Sequence, residues 1–462
     1  MPLANRSCKL PRVARSFFYR KVPTMRSVIL SHLCVLAGVS IVLASDRELV
    51  SFQKTQLSDQ FWSEGANFGD LNNDGHNDLV SGPWWWEGPT FEKRHEYYPA
   101  TTTFALKLGP QTTVTVPGFE GALGKNNTYS NNFFSYTHDF NGDGWNDILV
   151  IGFPGQDTSW FENPKGAEGH WKRHKIFDNT DNESPTFADI TGDGKPELVC
   201  ITKGKYGYAT PDGKNPAAAW KFHPISPNNG YGNFTHGMGL GDVNGDGRTD
   251  LLEKDGWWEQ PASLEGDPEW RHHKHNFGSG GGQMYAYDVN GDGLNDVITS
   301  LAAHAFGLAW FEQVREGTET KFKPHLVINE KPSESPYGVK FSELHALDLV
   351  DVDGDGLKDI VTGKRFWSHG RTGDPDRNDA AVLYWFQLVR NPDKTAEYVP
   401  WLIDGDSGVG TQVIAGDLNK DGYDDLIIGA YGYNSFTGRM YIYFGGPGMD
   451  NASDLVVTGE GT

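Results

Sequence analysis

The sequence predicts an all-β protein, a seven-bladed β-propeller with four-stranded antiparallel blades and a calcium loop between the first and second strands of each blade. An acidic loop of the pattern D-x-[N/T/D]-x-D-G-x-x-[D/E] occurs seven times, with first Asp residues 46 to 69 positions apart. Short β-branched and aromatic runs follow these loops, and the 462 residues include 57 Gly and 13% aromatic residues. Regular repeats of this kind are typical of radial β architectures.

The amino-terminal 45 residues predict a secretory signal peptide. They contain seven Lys or Arg and no Asp or Glu, and an apolar run at 28–44 ends in small residues. Met25, followed by Arg26 and Ser27, would itself open an ordinary leader, so a translation start there is the alternative. The run is too short for a stable membrane anchor. We therefore expect a secreted, periplasmic or cell-surface protein whose residues 46–462 form one propeller domain.

The net charge and the cysteine count exclude some classes of partner and an internal disulfide. The formal net charge is −21, and the basic leader means that the remaining chain is more acidic still. Such a charge disfavours nucleic acid and anionic membrane as partners. Beyond the leader, Cys200 is the one remaining cysteine, so no internal disulfide is expected.

The acidic loops predict calcium sites. Oxygen ligands at loop positions 1, 3, 5 and 9, with Gly at position 6 for the turn, suit a hard cation of flexible coordination. An EF-hand would need Glu at position 12, where six of the seven loops have another residue. We expect up to seven Ca²⁺ ions, bound by Asp70, Asn72, Asp74, Asp78, Asp139, Asn141, Asp143, Asp147, Asp189, Thr191, Asp193, Glu197, Asp242, Asn244, Asp246, Asp250, Asp288, Asn290, Asp292, Asp296, Asp351, Asp353, Asp355, Asp359, Asp417, Asn419, Asp421 and Asp425.

Each repeat reads as four strands in order. A first strand leads into the loop, and a second begins at the ninth loop residue, as in the run 147–150. A third is aromatic, as at 160–162, and a fourth carries a basic residue and His, as at 172–174. The last repeat has little sequence after its aromatic strand. We expect the segment 50–57 to supply the missing strand and so to close blade 7.

These loops and strands together resemble the FG-GAP/VCBS-like repeat family, whose calcium loops are similar to those of the integrin α propeller. The resemblance covers essentially the whole chain after the leader. Thr191, Glu197 and Lys420 depart from the usual residues at loop positions 3, 9 and 4, and Thr191 should weaken its site. The resemblance implies a propeller in which calcium usually stabilises a turn and performs no chemistry.

A second group of residues falls six positions before the first Asp of four loops. These residues are Glu64, Glu183, His236 and His345. Equivalent positions in a period-2 strand lie on the same side, so the four should meet at the channel mouth opposite the calcium loops. Imidazole with carboxylate suits Zn²⁺ or Mn²⁺ or an acid/base pair. The other interpretation is a wet, polar channel mouth in which these side chains are merely solvated.

Loops expected on the same face combine aromatic and basic residues, which suits the stacking and hydrogen bonding of sugars. The candidate substrate contacts are His304, Lys364, Arg365, Trp367, His369 and Tyr431.

Two functions remain open from the sequence. The first is a secreted calcium-binding module that holds a carbohydrate or protein ligand on its loop face. The second is a carbohydrate-active lyase or dehydratase that works by β-elimination, with His236, His345, Glu183 and Glu64 as metal ligands or acid/base groups. The paired aromatics and channel histidines are loosely similar to the propeller domain of fungal aldos-2-ulose dehydratase, a zinc-dependent sugar dehydratase.

Overall fold

The computed structural model describes residues 50–100, 103–109, 111–117, 130–317, 319–369, 372–430 and 439–447. The chain divides into two compact units, Met1–Arg47 and Glu48–Thr462, and all of the described residues belong to the second. The expected leader at 1–45, with its alternative start at Met25, lies outside the described residues, and so does Tyr431.

The described part of the chain is built of β-strands, with a short 3-10 helix at Pro332–Glu334. From the amino terminus the strands are β1 (Val50–Ser58), β2 (Ala66–Gly69), β3 (Asp78–Ser81), β4 (Trp84–Trp86), β5 (Arg94–Glu96), β6 (Thr103–Gly109), β7 (Thr112–Pro117), β8 (Phe134–His138), β9 (Asp147–Ile151), β10 (Gln156–Glu162), β11 (Lys172–Thr180), β12 (Thr186–Ala188), β13 (Glu197–Thr202), β14 (Lys205–Thr210) and β15 (Lys221–Pro224). They continue as β16 (Met238–Gly241), β17 (Asp250–Glu253), β18 (Gly256–Glu259), β19 (Arg271–Lys274), β20 (Gln283–Tyr287), β21 (Asp296–Ser300), β22 (Leu308–Glu316), β23 (Glu319–Ile328), β24 (Leu347–Val350), β25 (Asp359–Gly363), β26 (Leu383–Arg390), β27 (Ala396–Asp404), β28 (Val413–Gly416), β29 (Asp425–Ala430) and β30 (Arg439–Pro447).

Four-stranded antiparallel sheets are the main unit of the fold, as predicted. β2 to β5, β8 to β11, β12 to β15 and β24 to β27 each form one sheet in chain order, and β28 to β30 form another with β1. In each repeat the first strand ends directly before the first Asp of the acidic loop, and the second strand begins at the ninth residue. For example, β8 ends at His138 and β9 begins at Asp147. The hairpin of β6 and β7 stands apart as a two-stranded sheet.

Two repeats share a single sheet instead of forming separate ones. The strands run in the order β19, β18, β17, β16, β20, β21, β22, β23, because the first strands β16 and β20 pair in parallel from Met238 opposite Gln283 to Leu240 opposite Tyr285. Gly239 permits this contact, since a Cβ at that position would lie 1.7 Å from the Met284 carbonyl oxygen. The spacing of the repeats does not predict this seam between neighbouring blades.

The two ends of the described chain meet in one sheet. β1 pairs antiparallel with β30, from Val50 opposite Pro447 to Ser58 opposite Met440. The Lys54 ammonium forms a salt bridge with Asp404 and lies 4.1 Å from the centre of the Tyr441 ring. The strand that begins the described chain is therefore the outer strand of the sheet that ends it.

The apolar core lies between neighbouring sheets. In one cluster, Leu149 and Trp160 of β9 and β10 pack with Leu198 and Ala209 of β13 and β14, and all four are almost fully buried. Burial of a large apolar side chain contributes about 1.5–3 kcal/mol. The second and third strands of each repeat thus bind adjacent sheets to one another.

The outer strands carry a repeated contact between an aromatic ring, a His and a carboxylate. The His95 imidazole stacks on Trp85 at 4.1 Å between ring centres, and its Nε2 lies 2.7 Å from Glu87 Oε1. The imidazole shields one face of the Trp ring and satisfies the carboxylate at the same time. The same arrangement recurs in Trp160, Glu162 and His174, in Trp257, Glu259 and His273, and in Trp310, Glu312 and His325.

Candidate metal centre

Four side chains from different repeats converge at one point. Glu183, His236 and His345 each lie shortly before the first strand of a repeat, and His304 lies in the connection between β21 and β22. One ligand atom from each residue lies within 4.8 Å of one ligand atom from each of the others. The first strands of successive repeats bring their starting residues together, which places these four donors around a common space.

The histidines of this centre are held close and largely out of water. His236 Nε2 lies 2.9 Å from His304 Nε2, and the His304 and His345 rings are 4.5 Å apart. Burial, reinforced by the charge that neighbouring imidazoles would carry, lowers the pKa of His236 to about 3 and that of His345 well below its usual value. At neutral pH these rings are therefore uncharged, which is the form that binds metal ions.

Three buried polar atoms in the centre have no hydrogen-bond partner among the residues that the structure describes. They are Glu183 Oε2, Glu343 Oε1 and His304 Nδ1. Glu183 Oε2 lies 3.7 Å from His236 Nδ1 and 4.0 Å from His345 Nε2, which is too far for hydrogen bonds. Burial raises the pKa of Glu183 to about 8. Because an unsatisfied buried polar atom costs about 1–3 kcal/mol, three in one place point to a ligand that they share.

Glu343 lies beside His304 and His345 on one side of the centre. Its carboxylate is fully buried, and Oε2 lies 3.7 Å from His304 Nδ1 and 3.9 Å from His345 Nδ1. The Ser368 hydroxyl donates to the same oxygen at 2.5 Å. Glu343 has a φ of 63°, a left-handed conformation that non-Gly residues rarely adopt and that often marks functional sites.

The donor set fits a first-row divalent metal better than calcium. Imidazole nitrogens suit Zn²⁺, Fe²⁺ and similar ions, and a carboxylate also suits Mn²⁺, whereas Ca²⁺ takes oxygen ligands. Three imidazoles and one carboxylate surround the space here. The side chains of His236 and His304 are 14% and 29% exposed, so the centre can be reached from solvent on that side.

The acidic loops have a different, oxygen-only donor set. In the first loop, Asp70 accepts hydrogen bonds from the Asp74 and Gly75 N–H groups at 3.2 and 2.9 Å, which turns the loop around its own carboxylate. Three carboxylates lie within 4.8 Å of one another in two loops, one with Asp189, Asp193 and Glu197 and one with Asp351, Asp353 and Asp355. Oxygen-only donors in a sharp glycine turn fit calcium.

The ninth loop residue also has a purely structural role. Asp147 is fully buried, and its two oxygens accept the Phe140 and Asn163 N–H groups at 3.1 and 2.8 Å. Burial raises its pKa to about 7. The carboxylate therefore ties the start of the loop to the end of the third strand, in addition to any contact with a cation.

Two known repeat families match parts of this chain. The FG-GAP-like repeat family matches residues 139–200, and the FG-GAP repeat family matches residues 409–443. The chain therefore contains FG-GAP repeats. This confirms the resemblance that the acidic loops indicated, whereas the similarity to aldos-2-ulose dehydratase stays a prediction.

The FG-GAP-repeat protein is similar in part to integrin α chains. It is 32% identical to integrin alpha-IIb of Mus musculus over 113 residues, which is 22% of this chain and 10% of the integrin. It is 34% identical to integrin alpha-6 of Gallus gallus over 118 residues, which is 25% of this chain and 10% of the integrin. The matched part thus spans about a tenth of the length of these curated relatives.

Solved structures of similar shape are distant in sequence. An Agrocybe aegerita protein that recognises non-reducing terminal N-acetylglucosamine shares 14% identity at a TM-score of 0.42, covering 86% of this chain and 90% of that one. The Vibrio cholerae biofilm matrix protein Bap1 shares 10% identity at a TM-score of 0.35, covering 85% of this chain and 91% of that one. In the described part of the FG-GAP-repeat protein, no helix is both long enough and apolar enough to cross a membrane.

Glu64 lies apart from the three other residues that the sequence placed at the channel mouth. Its carboxylate is fully buried and accepts two hydrogen bonds from Arg365, at 2.6 and 2.7 Å, and one from the Thr411 N–H at 3.1 Å. A carboxylate held in this way by a buried guanidinium has a structural role. The expected catalytic role of Glu64 and the expected substrate contact of Arg365 do not fit this pair.

Some of the other expected substrate contacts are buried in the interior, and others lie in or beside the centre. Lys364 is 1% exposed, with Nζ donating to the Arg365 and Phe366 carbonyls, and Trp367 donates to the Arg377 carbonyl. Both side chains are too buried to contact a substrate. His369, in contrast, is 55% exposed at the edge of the centre, and His304 belongs to the metal-ligand group itself.

Sequence reasoning missed Glu343 and placed His304 among the substrate contacts. Neither residue lies at the position six residues before a loop, which was the criterion for the channel-mouth group. Glu343 lies two residues before His345, but its φ of 63° interrupts the extended chain, so strand periodicity does not predict its place in the centre. His304 lies in an irregular connection, where no periodicity applies.

Proposed function

We propose that this FG-GAP-repeat protein is an exported, metal-dependent enzyme with a divalent-metal centre formed by Glu183, His236, His304 and His345. The observation that carries the proposal is the convergence of these four donors within 4.8 Å of one another. Buried neutral imidazoles and unpaired carboxylate oxygens supply what a Zn²⁺ or Mn²⁺ site needs.

The reaction that the centre supports best is β-elimination from a carbohydrate that contains a carbonyl or carboxylate group. A bound divalent ion would polarise that group and so acidify the neighbouring C–H bond. The residues around the centre are imidazoles and carboxylates, which are proton-transfer groups. Uronic-acid polymers and keto-sugars contain such a group, and they are the substrate classes that we propose.

We infer that the rest of the molecule is a calcium-stabilised scaffold of seven blades. Each half of the eight-stranded sheet contains the four consecutive strands of one repeat, which supports counting it as one blade. The oxygen donors of the seven loops support binding of up to seven Ca²⁺ ions. The basic and apolar amino-terminal 45 residues support export.

Elemental analysis and an activity screen together test the proposal. We expect about one Zn²⁺ or Mn²⁺ per chain in addition to calcium, and ultraviolet absorbance from an unsaturated product with a uronic-acid polymer or keto-sugar. His236→Ala with His345→Ala should remove the transition metal and the activity but keep the calcium. His170→Ala is the matched control, because His170 pairs with Glu96 at 2.8 Å outside the centre. Calcium as the sole bound metal would contradict the proposal.

A second candidate function is the binding of a protein ligand. The similarity of 22–25% of the chain to integrin α chains favours it. We expect this function to require calcium but no transition metal. Surface plasmon resonance with a panel of extracellular proteins, in calcium and in chelator, would distinguish it from the enzyme, because binding without any turnover supports the second candidate.

A further inference from the structure

We propose that His369, oriented by Asp374, is the acid/base residue of this centre. The inference rests on the proposed elimination activity. The His369 and His304 rings are 4.3 Å apart, so His369 borders the group of metal ligands. Its side chain is 55% exposed, against 1% for His345 and 29% for His304. It therefore occupies the open side of the centre, where a substrate would approach.

Asp374 fixes the orientation and tautomer of this imidazole. The Asp374 side chain is fully buried, and Oδ1 lies 2.8 Å from His369 Nδ1. The Ser368 and His369 N–H groups donate to Oδ2 at 2.7 and 3.0 Å, which prevents the carboxylate from turning away. Because a carboxylate oxygen accepts hydrogen bonds, this contact favours the tautomer that has the hydrogen on Nδ1 and the lone pair on Nε2.

Ser368, which precedes His369, is also connected to the metal ligands. The Ser368 hydroxyl lies 3.3 Å from His345 and donates to Glu343 at 2.5 Å, while the Ser368 N–H holds Asp374. A single residue thus links the ligand group to the pair of His369 and Asp374. This linkage holds the pair of His369 and Asp374 beside the ligand group.

His369 differs from the four carboxylate-paired histidines that stack on Trp rings. His95, His174, His273 and His325 stack flat on Trp rings of the outer strands, with 4.1 to 4.3 Å between ring centres. His369 instead contacts the His304 ring, at an angle of 49°. It is also not one of the four donors that lie within 4.8 Å of one another. An oriented, exposed imidazole beside a metal-binding group fits proton transfer rather than packing.

The proposed step is balanced in atoms and electrons. His369 Nε2 takes the proton from the carbon next to the substrate carbonyl or carboxylate, and the C–H electron pair becomes the C=C bond. The bond from the β-carbon to oxygen breaks, and its electron pair leaves with the oxygen. The His369 imidazolium then returns its proton to that oxygen. The net change is one substrate molecule converted to an unsaturated product and water or an alcohol, with no oxidant or reductant.

The test compares His369→Gln and Asp374→Asn with His170→Gln in the metal-loaded protein. We expect His369→Gln to lower kcat by about 10²–10⁴-fold, the usual contribution of an acid/base residue, while metal content and Tm stay at wild-type values. Asp374→Asn should lower kcat less. His170→Gln should change neither quantity, because His170 lies outside the centre.

A second readout needs no substrate. Nitrogen-15 NMR of labelled histidine, assigned by difference from His369→Gln, should show the Nδ1–H tautomer in the wild type and a mixture of tautomers in Asp374→Asn. The inference is overturned if the wild type turns over substrate and His369→Gln keeps activity within about threefold, or if the Nε2–H tautomer is found. A wild type that acts on no carbohydrate of the panel would instead overturn the proposed function, and this role of His369 with it.

Discussion

Glu64 and Glu183 occupy equivalent positions in two repeats, six residues before the first Asp of the loop, yet their environments are opposite. Glu64 accepts two hydrogen bonds from the buried Arg365. Glu183 has an oxygen with no hydrogen-bond partner, and its neighbours are imidazoles. The same residue type at the same repeat position therefore stabilises the fold in one blade and offers a ligand in another.

The buried pair of Glu64 and Arg365 should be sensitive to loss of one partner. Both side chains are 0% exposed, so Glu64→Gln leaves an uncompensated guanidinium in the interior. We expect the free energy of unfolding to fall by about 3–5 kcal/mol, measured by urea denaturation. The double variant Glu64→Leu with Arg365→Met should recover most of this loss. Lys175→Ala breaks an exposed pair with Asp178 and should change stability by under about 0.5 kcal/mol.

The centre was predictable from sequence where its residues follow the repeat. Glu183, His236 and His345 each lie at a fixed distance before a loop, and the structure brings them together. His304 and Glu343 could not be found by that criterion, since connecting segments have no period. The burial of Arg365 was not predictable, because a basic residue in a loop is usually exposed and its partner Glu64 is 301 residues away in the chain.

At the scale of elements, the acidic loop and the strand after it form one unit. The ninth residue begins the second strand of each repeat. In the six repeats where it is Asp, its carboxylate accepts backbone N–H groups on both sides, as Asp250 does from Val243 and Gln260 at 2.9 Å each. This local pattern made the four-strand repeat predictable. The parallel seam of β16 and β20 was not predictable, because it depends on how closely two sheets approach at Gly239.

Removal of calcium should destabilise the loops. We expect chelator to lower the Tm and added Ca²⁺ to restore it, because a ligand at 100 times its Kd stabilises the native state by about 2.7 kcal/mol per site. Differential scanning calorimetry with and without chelator measures the effect. Asp139→Asn, in which one oxygen that accepts loop N–H groups is lost, should reduce the bound calcium by about one ion. A Tm that is the same in chelator and in calcium would contradict the calcium sites.

The pairs of His and Glu on the outer strands should make the protein less stable in acid. The hydrogen bond from His174 lowers the pKa of Glu162 below its usual 4.5. A carboxyl group whose pKa is lower in the folded state stabilises the fold above its unfolded pKa, and this contribution disappears as the pH falls through the folded pKa. Stability should therefore decline as the pH falls below about 4.5. Glu162→Gln should make that decline shallower in urea titrations at a series of pH values, and an unchanged slope would count against the pairing.

At the scale of the whole molecule, β1 connects the beginning of the described chain to its end. It supplies the outer strand of the sheet of β28 to β30. Without it, β30 would present unpaired backbone groups at a sheet edge, which promotes aggregation. Residues far apart in the sequence therefore depend on one another for a complete fold.

A protein truncated so that it begins at Gln60 lacks β1, and the last sheet should then lose its outer strand. We expect the shortened protein to unfold at a lower Tm and to self-associate, as measured by calorimetry and light scattering. The control is a protein that begins at Asp46, which lacks only the expected leader and keeps Val50–Ser58. Equal Tm values for the two proteins would show that β1 contributes little to the stability of the last sheet.

The seam between β16 and β20 has a mechanical consequence. The parallel pairing of β16 with β20 joins these two repeats in a single sheet, whereas the other sheets are joined by side-chain packing and by isolated backbone hydrogen bonds, such as that from the Trp171 N–H to the Tyr97 carbonyl. His236 precedes β16 by two residues and His304 follows β21 by four, so two ligands are anchored on this sheet. Under heat or force, we expect the pairing of β1 with β30 to break before the seam does. Amide hydrogen exchange should be slowest around the seam. The centre is thus attached to the part of the ring that deforms last.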